Sequence, residues 1–191
     1  MTTPIRIPLP EDGELSEEHA ALLGSLPPAN VFRMVANAPA SLEAFVAVAR
    51  SILAESELPP RDREIAVLRV AAVTGAEYER VQHERIARMV GVSDEEVEAV
   101  AAGGEGLGER DTLLCRAAEE ISRDVRLSDE ALGQLVETYG VRQTTELIFC
   151  VSYFNMLSRF LESTRVPLED FDPVERWAQQ QQQQPREGAE T

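Results

Sequence analysis

The stretch Arg61-Asp-Arg-Glu-Ile-Ala-Val-Leu-Arg-Val-Ala-Ala-Val73 decides the fold. Its apolar residues leave no polar face, and a helix that is apolar nearly all round belongs in the middle of a bundle. A strand competes for any Val- and Ile-rich run, but the length, the alanines and the arginines favour helix. Pro59-Pro60 precedes it, and Pro60 suits a first helical turn. Thr74-Gly75 then allows a bend.

Outward from this centre every apolar run steps by three and four residues. Pro39 opens a helix through about Ala54, and Ala76 to Val90 forms another, closed by Gly91. Ser93-Asp-Glu-Glu96 is a capping box for the next helix. Gly103 to Gly108 reads as a flexible linker; with no strand before it, its glycines do not make a phosphate cradle. Helices are expected over Glu109 to Val125, Ser128 to Tyr139 and Thr144 to Glu162, with Gly140 ending the second. The expectation is an all-α bundle without strands. Residues 1–15 should be an extended arm, 16–173 a single helical domain, and 174–191 a disordered tail rich in glutamine.

Composition removes several functions. All 18 basic residues are arginine, against 34 acids, giving a net charge of −16. Without lysine there is no Schiff-base chemistry and no GxxxxGK[ST] phosphate loop. The acidic balance argues against nucleic acid or an anionic membrane as partner. No apolar stretch approaches the roughly 20 residues that span a bilayer. The N-terminal residues carry prolines and acids rather than a leader pattern, so a cytoplasmic location is expected. Cys115 and Cys150 each lie in an apolar helical run and read as small buried hydrophobes.

On a helical wheel Ala76, Glu79, His83, Ile86, Ala87 and Val90 share one arc, with Glu77, Arg80, Glu84 and Arg88 opposite. Glu79 and His83 therefore point into the apolar stripe, one turn apart and within hydrogen-bonding reach. Burying both is costly unless they satisfy each other or something else. A core histidine held by its neighbour is the plain reading; acid–base chemistry is the functional one, supported by Glu64 at the start of the central helix. A metal centre would need more ligands than a single Glu-x-x-x-His supplies, so neither metal nor cofactor is expected. Arg69, isolated among apolar residues, must find a carboxylate or a ligand anion.

Arg63-Glu-Ile-Ala-Val-Leu-Arg-Val-Ala-Ala, Glu77-Tyr-Glu-Arg-Val-Gln-His83, Ile86-Ala-Arg and Gly91-Val-Ser together resemble the carboxymuconolactone decarboxylase family, which includes the alkylhydroperoxidase D type of peroxidase. Asn30-Val-Phe32, Pro39 and Tyr153-Phe-Asn155 support the resemblance, which covers about Val31 to Leu168. It implies an alkylhydroperoxidase D-like helical bundle that assembles as dimers, trimers or hexamers. The apolar breadth of Thr144 to Glu162 independently suggests a subunit interface. In the peroxidase branch a glutamate, a Cys-x-x-Cys pair and a histidine form the site. Glu64 and His83 match the outer two, while Ala76 and Glu79 stand where the cysteines would be. The resemblance thus implies a lyase or isomerase acting on a small carboxylic acid or lactone, with His83 as acid or base, Glu79 as its partner and Glu64 orienting. A non-catalytic binding or assembly module of the same fold is the alternative; a dithiol peroxidase is the weakest reading.

Overall fold

The computed structural model describes residues 6–183, with helices α1 (Glu17–Gly24), α2 (Asn30–Val35), α3 (Pro39–Arg50), α4 (Pro60–Thr74), α5 (Glu77–Met89), α6 (Asp94–Ala102), α7 (Glu109–Asp124), α8 (Asp129–Thr164) and α9 (Pro173–Gln183). Among the described residues there is no strand, and no helix is long and apolar enough to cross a membrane. The described residues gather into two units, one formed by residues 6–48 with 164–183 and the other by Ala49–Ser163, where the sequence suggests one domain over 16–173.

In the first unit, the expected extended arm contains a short 3-10 turn, Asp12–Glu14, whose Glu11 and Glu14 cap each other. Polar contacts tie it to α2: Asn37 Nδ2 donates to the Pro8 carbonyl (2.9 Å) and Arg33 to that of Pro10 (2.7 Å). Ser16 accepts from the His19 amide and caps α1.

The C-terminal segment differs from its expected disorder. Residues 173–183 are helical, so the glutamine run up to Gln183 continues α9. Asp172 Oδ1 accepts from the amides of Val174 and Glu175 (2.9 and 3.0 Å), which starts the helix. Glutamine is a good helix former, so composition alone misled here. Residues 184–191 lie outside the described residues.

The second unit is organised by α4, which packs against α5, α6 and α7. Every residue from Asp62 to Ala71 is buried. The charged ones are all matched, as burial in a bundle demands. Asp62 accepts from Arg110 and from the Tyr139 hydroxyl, and Arg63 donates to Glu64 (2.9 Å). Arg69 donates to the carbonyls of Val100 and Ala101 (3.2 and 3.0 Å) and pairs with Glu119. It therefore holds the C-terminus of α6, the helix end that favours a cation.

Three expectations at the joints need adjustment. The helix opened by Pro39 changes at Arg50 into a π turn, Ser51–Glu55, and the Leu53 carbonyl in that turn accepts from Arg63 (3.0 Å). The first two glycines after α6 sit in a packed turn rather than a free linker: a Cβ on Gly104 would lie 3.1 Å from Cys115. Gly140 ends one helix and begins another inside α8, with φ 70° and ψ 173°, a backbone region open almost only to glycine.

Beyond Gly140, α8 exposes Val141 (72%), Phe149 (52%) and Met156 (49%) in one row at helical spacing, with Thr145 and Ser152 between them. We propose that a second copy of the chain covers this row. Light scattering at micromolar concentration should give at least twice the 21.1 kDa chain mass, and Phe149→Asp with Met156→Asp should reduce it. A clean monomer in the unsubstituted protein would contradict the proposal.

Candidate active site

Three helices bring the predicted residues together. Glu64 lies in the second turn of α4, Glu79 and His83 lie one turn apart on α5, and α8 adds Phe154 and Ser158. All three predicted residues are buried: Glu64 completely, Glu79 to 2% exposure and His83 to 7%. The wheel placed both α5 residues inward, and α5 does bury them along with Ala87.

The hydrogen-bonding differs from the sequence expectation. His83 pairs not with its helical neighbour Glu79 but with Glu64, whose Oε2 lies 2.6 Å from Nδ1. The other Glu64 oxygen accepts from Arg63 Nε at 2.9 Å, so this fully buried carboxylate has a partner on each oxygen. Phe154 meets the imidazole edge-on at 4.8 Å between ring centres, fixing its plane. A carboxylate on Nδ1 sets that nitrogen as the proton-bearing one of the neutral ring and leaves Nε2 as the acceptor.

Glu79 has other company. Its Oε2 contacts the Ser158 hydroxyl, while Oε1 is buried with no hydrogen-bond partner. Ser158 also meets the Phe154 carbonyl (2.8 Å) and Thr74 Oγ1 (3.1 Å). The i, i+4 spacing made a Glu79–His83 bond plausible, but the cationic Arg63 and the facing helix make Glu64 the better acceptor. Ser158 was not anticipated from the sequence; its trace there is a small polar residue inside the apolar run of α8.

The two glutamates are driven apart electrostatically. Burial alone would raise the Glu64 carboxyl, but His83 and Arg63 outweigh it and hold its pKa below the ordinary 4.5. Burial dominates at Glu79 and pushes its pKa up to about 7, against smaller lowering by Ser158 and His83, with Glu162 adding to the rise. Two carboxyl groups beside one imidazole thus take opposite states, the arrangement from which acid and base roles are assigned.

The thiols stand outside this chemistry. Burial raises Cys115 to about 11 and also raises Cys150, where the Glu64 charge adds to the effect. Neither offers a thiolate at neutral pH. Ala76 and Glu79 occupy the positions that the resemblance assigns to cysteines, and both are buried. Among the described residues no three His, Cys, Asp or Glu side chains converge to hold a metal ion.

A cleft of about 510 Å³ opens beside Ser158, lined also by Thr74, Ser122, Arg123, Arg159 and Glu162. It meets the buried site through the Ser158 hydroxyl, and His83 is not part of its wall.

The raised Glu79 carboxyl has a sign that can be checked. The folded state keeps a proton that the unfolded chain releases between pH 4.5 and about 7. Its contribution favours the fold fully below 4.5 and is lost as the pH rises through about 7. Glu79→Gln, which imitates the protonated acid, should therefore gain stability relative to the parent between pH 5 and pH 8, by up to about 3 kcal/mol. Urea unfolding at both pH values measures this, and a gap between the two proteins that is independent of pH would contradict the assignment.

Residues 39–119 match the model of the carboxymuconolactone decarboxylase family. The fold is similar to the alkylhydroperoxidase AhpD core of an uncharacterized peroxidase-related protein from Ralstonia eutropha JMP134, with TM-score 0.76 and 19% identity over 88% of this chain and 95% of that one. An uncharacterized peroxidase-related protein from Silicibacter sp. TM1040 is similar at TM-score 0.74 and 18% identity, over 89% and 96% of the two chains. A protein of unknown function from Agrobacterium tumefaciens is similar at TM-score 0.64 and 17% identity, over 72% and 96%. No curated protein sequence matches the chain. Over residues 39–119 the chain is thus similar to the carboxymuconolactone decarboxylase family, and its fold is alkylhydroperoxidase D-like.

Proposed function

We propose that the protein is a cofactor-independent proton-transfer enzyme, a lyase or isomerase acting on a small carboxylic acid or lactone. The observation that carries this reading is the pair of buried glutamates at one imidazole, Glu64 paired on both oxygens and Glu79 with Oε1 unpartnered. A buried acid left half unsatisfied is expensive for a merely structural role. It is useful as a proton store next to a fixed base.

In this reading Glu64 holds His83 by Nδ1 and leaves Nε2 to take or return a proton. Glu79 supplies the acid through the Ser158 side of the site. For a decarboxylation, breaking the bond to the carboxylate releases carbon dioxide and leaves an enolate. A proton from the site then completes the product at carbon. For a double-bond migration the same groups remove a proton at one carbon and return it at another. The superfamily's peroxidase-related members suggest dithiol chemistry, but the buried cysteines of this chain and the Ala76 and Glu79 replacements give that route no nucleophile.

A second reading, a non-catalytic binding or assembly module, is favoured by one observation: His83 is packed against Phe154 and is not in the wall of the cleft that reaches Ser158. The two readings separate on turnover. A panel of small β-keto acids and unsaturated γ-lactones, followed by proton NMR in deuterium oxide, reports decarboxylation, isomerisation or isotope uptake. The enzyme reading expects turnover by the parent protein and a fall of about 100-fold or more in His83→Asn, with the helical circular dichroism retained. A folded His83→Asn with full activity, or no turnover across the panel, would end the enzyme reading.

A further inference from the structure

We infer that the cleft beside Ser158 takes a small monocarboxylate and that Arg159 is the residue that anchors its carboxylate group. The inference rests on the reading of Glu79 as the site's acid, and it adds the substrate's charge and the residue that recognises it.

The starting point is how the arginines are spent. Of the two arginines that line the cleft, one has a carboxylate partner and the other has none. Arg123, the cleft's other arginine, pairs with Glu119, which also takes Arg69. Arg159 has no such partner among the described residues. Its Nη1 donates to the Asn155 carbonyl at 2.6 Å and to Asn155 Oδ1 at 2.9 Å. Both are neutral oxygens, so no carboxylate compensates the positive charge, and Arg159 lines the cleft.

The anchor is also held in place. Asn155 is buried, and its Nδ2 donates to Ser122 Oγ at 2.8 Å and to the Val151 carbonyl at 3.0 Å. These bonds orient the amide so that its oxygen faces Arg159. A guanidinium fixed before the ligand arrives loses less freedom on binding, and its planar fork matches a carboxylate. This gives Asn155 a positioning role that packing alone does not explain, since a buried amide fully used by neighbours need not reach an exposed arginine.

The local charges limit the ligand to one negative group. Glu162 also lines the cleft, but its Oε1 is engaged by the Glu77 amide at the start of α5 (3.2 Å). Among the residues that line the cleft, Arg123 and Arg159 against Glu162 leave a single positive charge in excess. A dicarboxylate would bring a charge that nothing there matches. The volume, about 510 Å³, suits a small molecule. Thr74, Ser122 and Ser158 line the same cleft, and the hydroxyl of Ser158 alone among them touches Glu79. As Ser158 gives its hydroxyl proton to the ligand it takes the one from Glu79, so the serine is unchanged and Glu79 ends as carboxylate.

The test reads binding, so it does not depend on finding the substrate. Sodium 4-oxopentanoate serves as the probe and its methyl ester as the uncharged control, in amide-detected NMR titrations of the full chain. The acid should bind about tenfold or more tightly than the ester, with shifts centred on the amides of Thr74, Ser122 and Ser158. Arg159→Gln should weaken the acid by about tenfold or more and leave the ester unchanged, with Arg159→Lys in between. Arg142→Gln, which removes an exposed charge outside the cleft, should have no effect. Equal binding of acid and ester, no saturable binding of the acid, or indifference to Arg159→Gln would overturn the anchor. Arg159-dependent binding by a protein that turns nothing over would keep the anchor and remove the enzymatic reading; turnover with binding indifferent to Arg159 would do the reverse.

Discussion

The fully buried Glu64 carboxylate, gripped by Arg63 on one oxygen and His83 on the other, is the interaction on which the site depends. A carboxylate removed from water costs several kcal/mol unless its oxygens are well partnered, and losing either partner would leave an unmatched charge in the core. This explains why a helix as apolar as α4 begins with a cluster of charged residues. Asp62 binds Arg110 and Tyr139, Arg63 binds Glu64 and the Leu53 carbonyl, and the rest of α4 can then be packed dry. The π turn at Ser51–Glu55 contributes the carbonyl that holds Arg63, so a local widening of one helix supports the geometry of another.

The consequence at the site is a division of labour between two residues of the same type. Glu64 and Glu79 are equally acidic in water and almost equally buried, yet their partners differ. One faces a guanidinium and an imidazole; the other faces a hydroxyl and has an oxygen left over. Burial raises both, and only Glu64 is brought back down. The fold thereby stores a proton on Glu79 beside an imidazole whose orientation is set from the other side. The proposed proton transfer depends on that asymmetry, because a symmetrical pair would offer neither a distinct acid nor a distinct base.

Much of the fold was legible in the sequence, for reasons that are local. Pro60 and Gly75 bound α4, Ser93 and Glu96 form the capping box, and Gly140 interrupts α8. Each of these depends on a backbone preference that neighbouring residues cannot override. The inward arc of α5 was equally readable, since a helical period needs no knowledge of the partner. The pairing of His83 was not, because spacing along one helix says nothing about a carboxylate on another. Ser158 and Arg159 were missed for the same reason: 79 and 80 positions beyond Glu79, they matter only once α8 lies beside α5. The C-terminal helix was missed because a glutamine run is ambiguous in composition, and the Asp172 cap that starts it is a single residue. The resemblance to a family pointed to Glu64 and His83 together, which periodicity alone could not do.

The central claim is that the two site glutamates hold opposite protonation states near neutral pH. Side-chain carboxyl carbon NMR of glutamate-labelled protein, assigned with Glu79→Gln and Glu64→Gln, follows each group across the pH range. The account predicts that the Glu79 carbon titrates near pH 7 while the Glu64 carbon remains in its ionised position down to below 4.5. Glu79 titrating with the surface glutamates, near the ordinary 4.5, would contradict it.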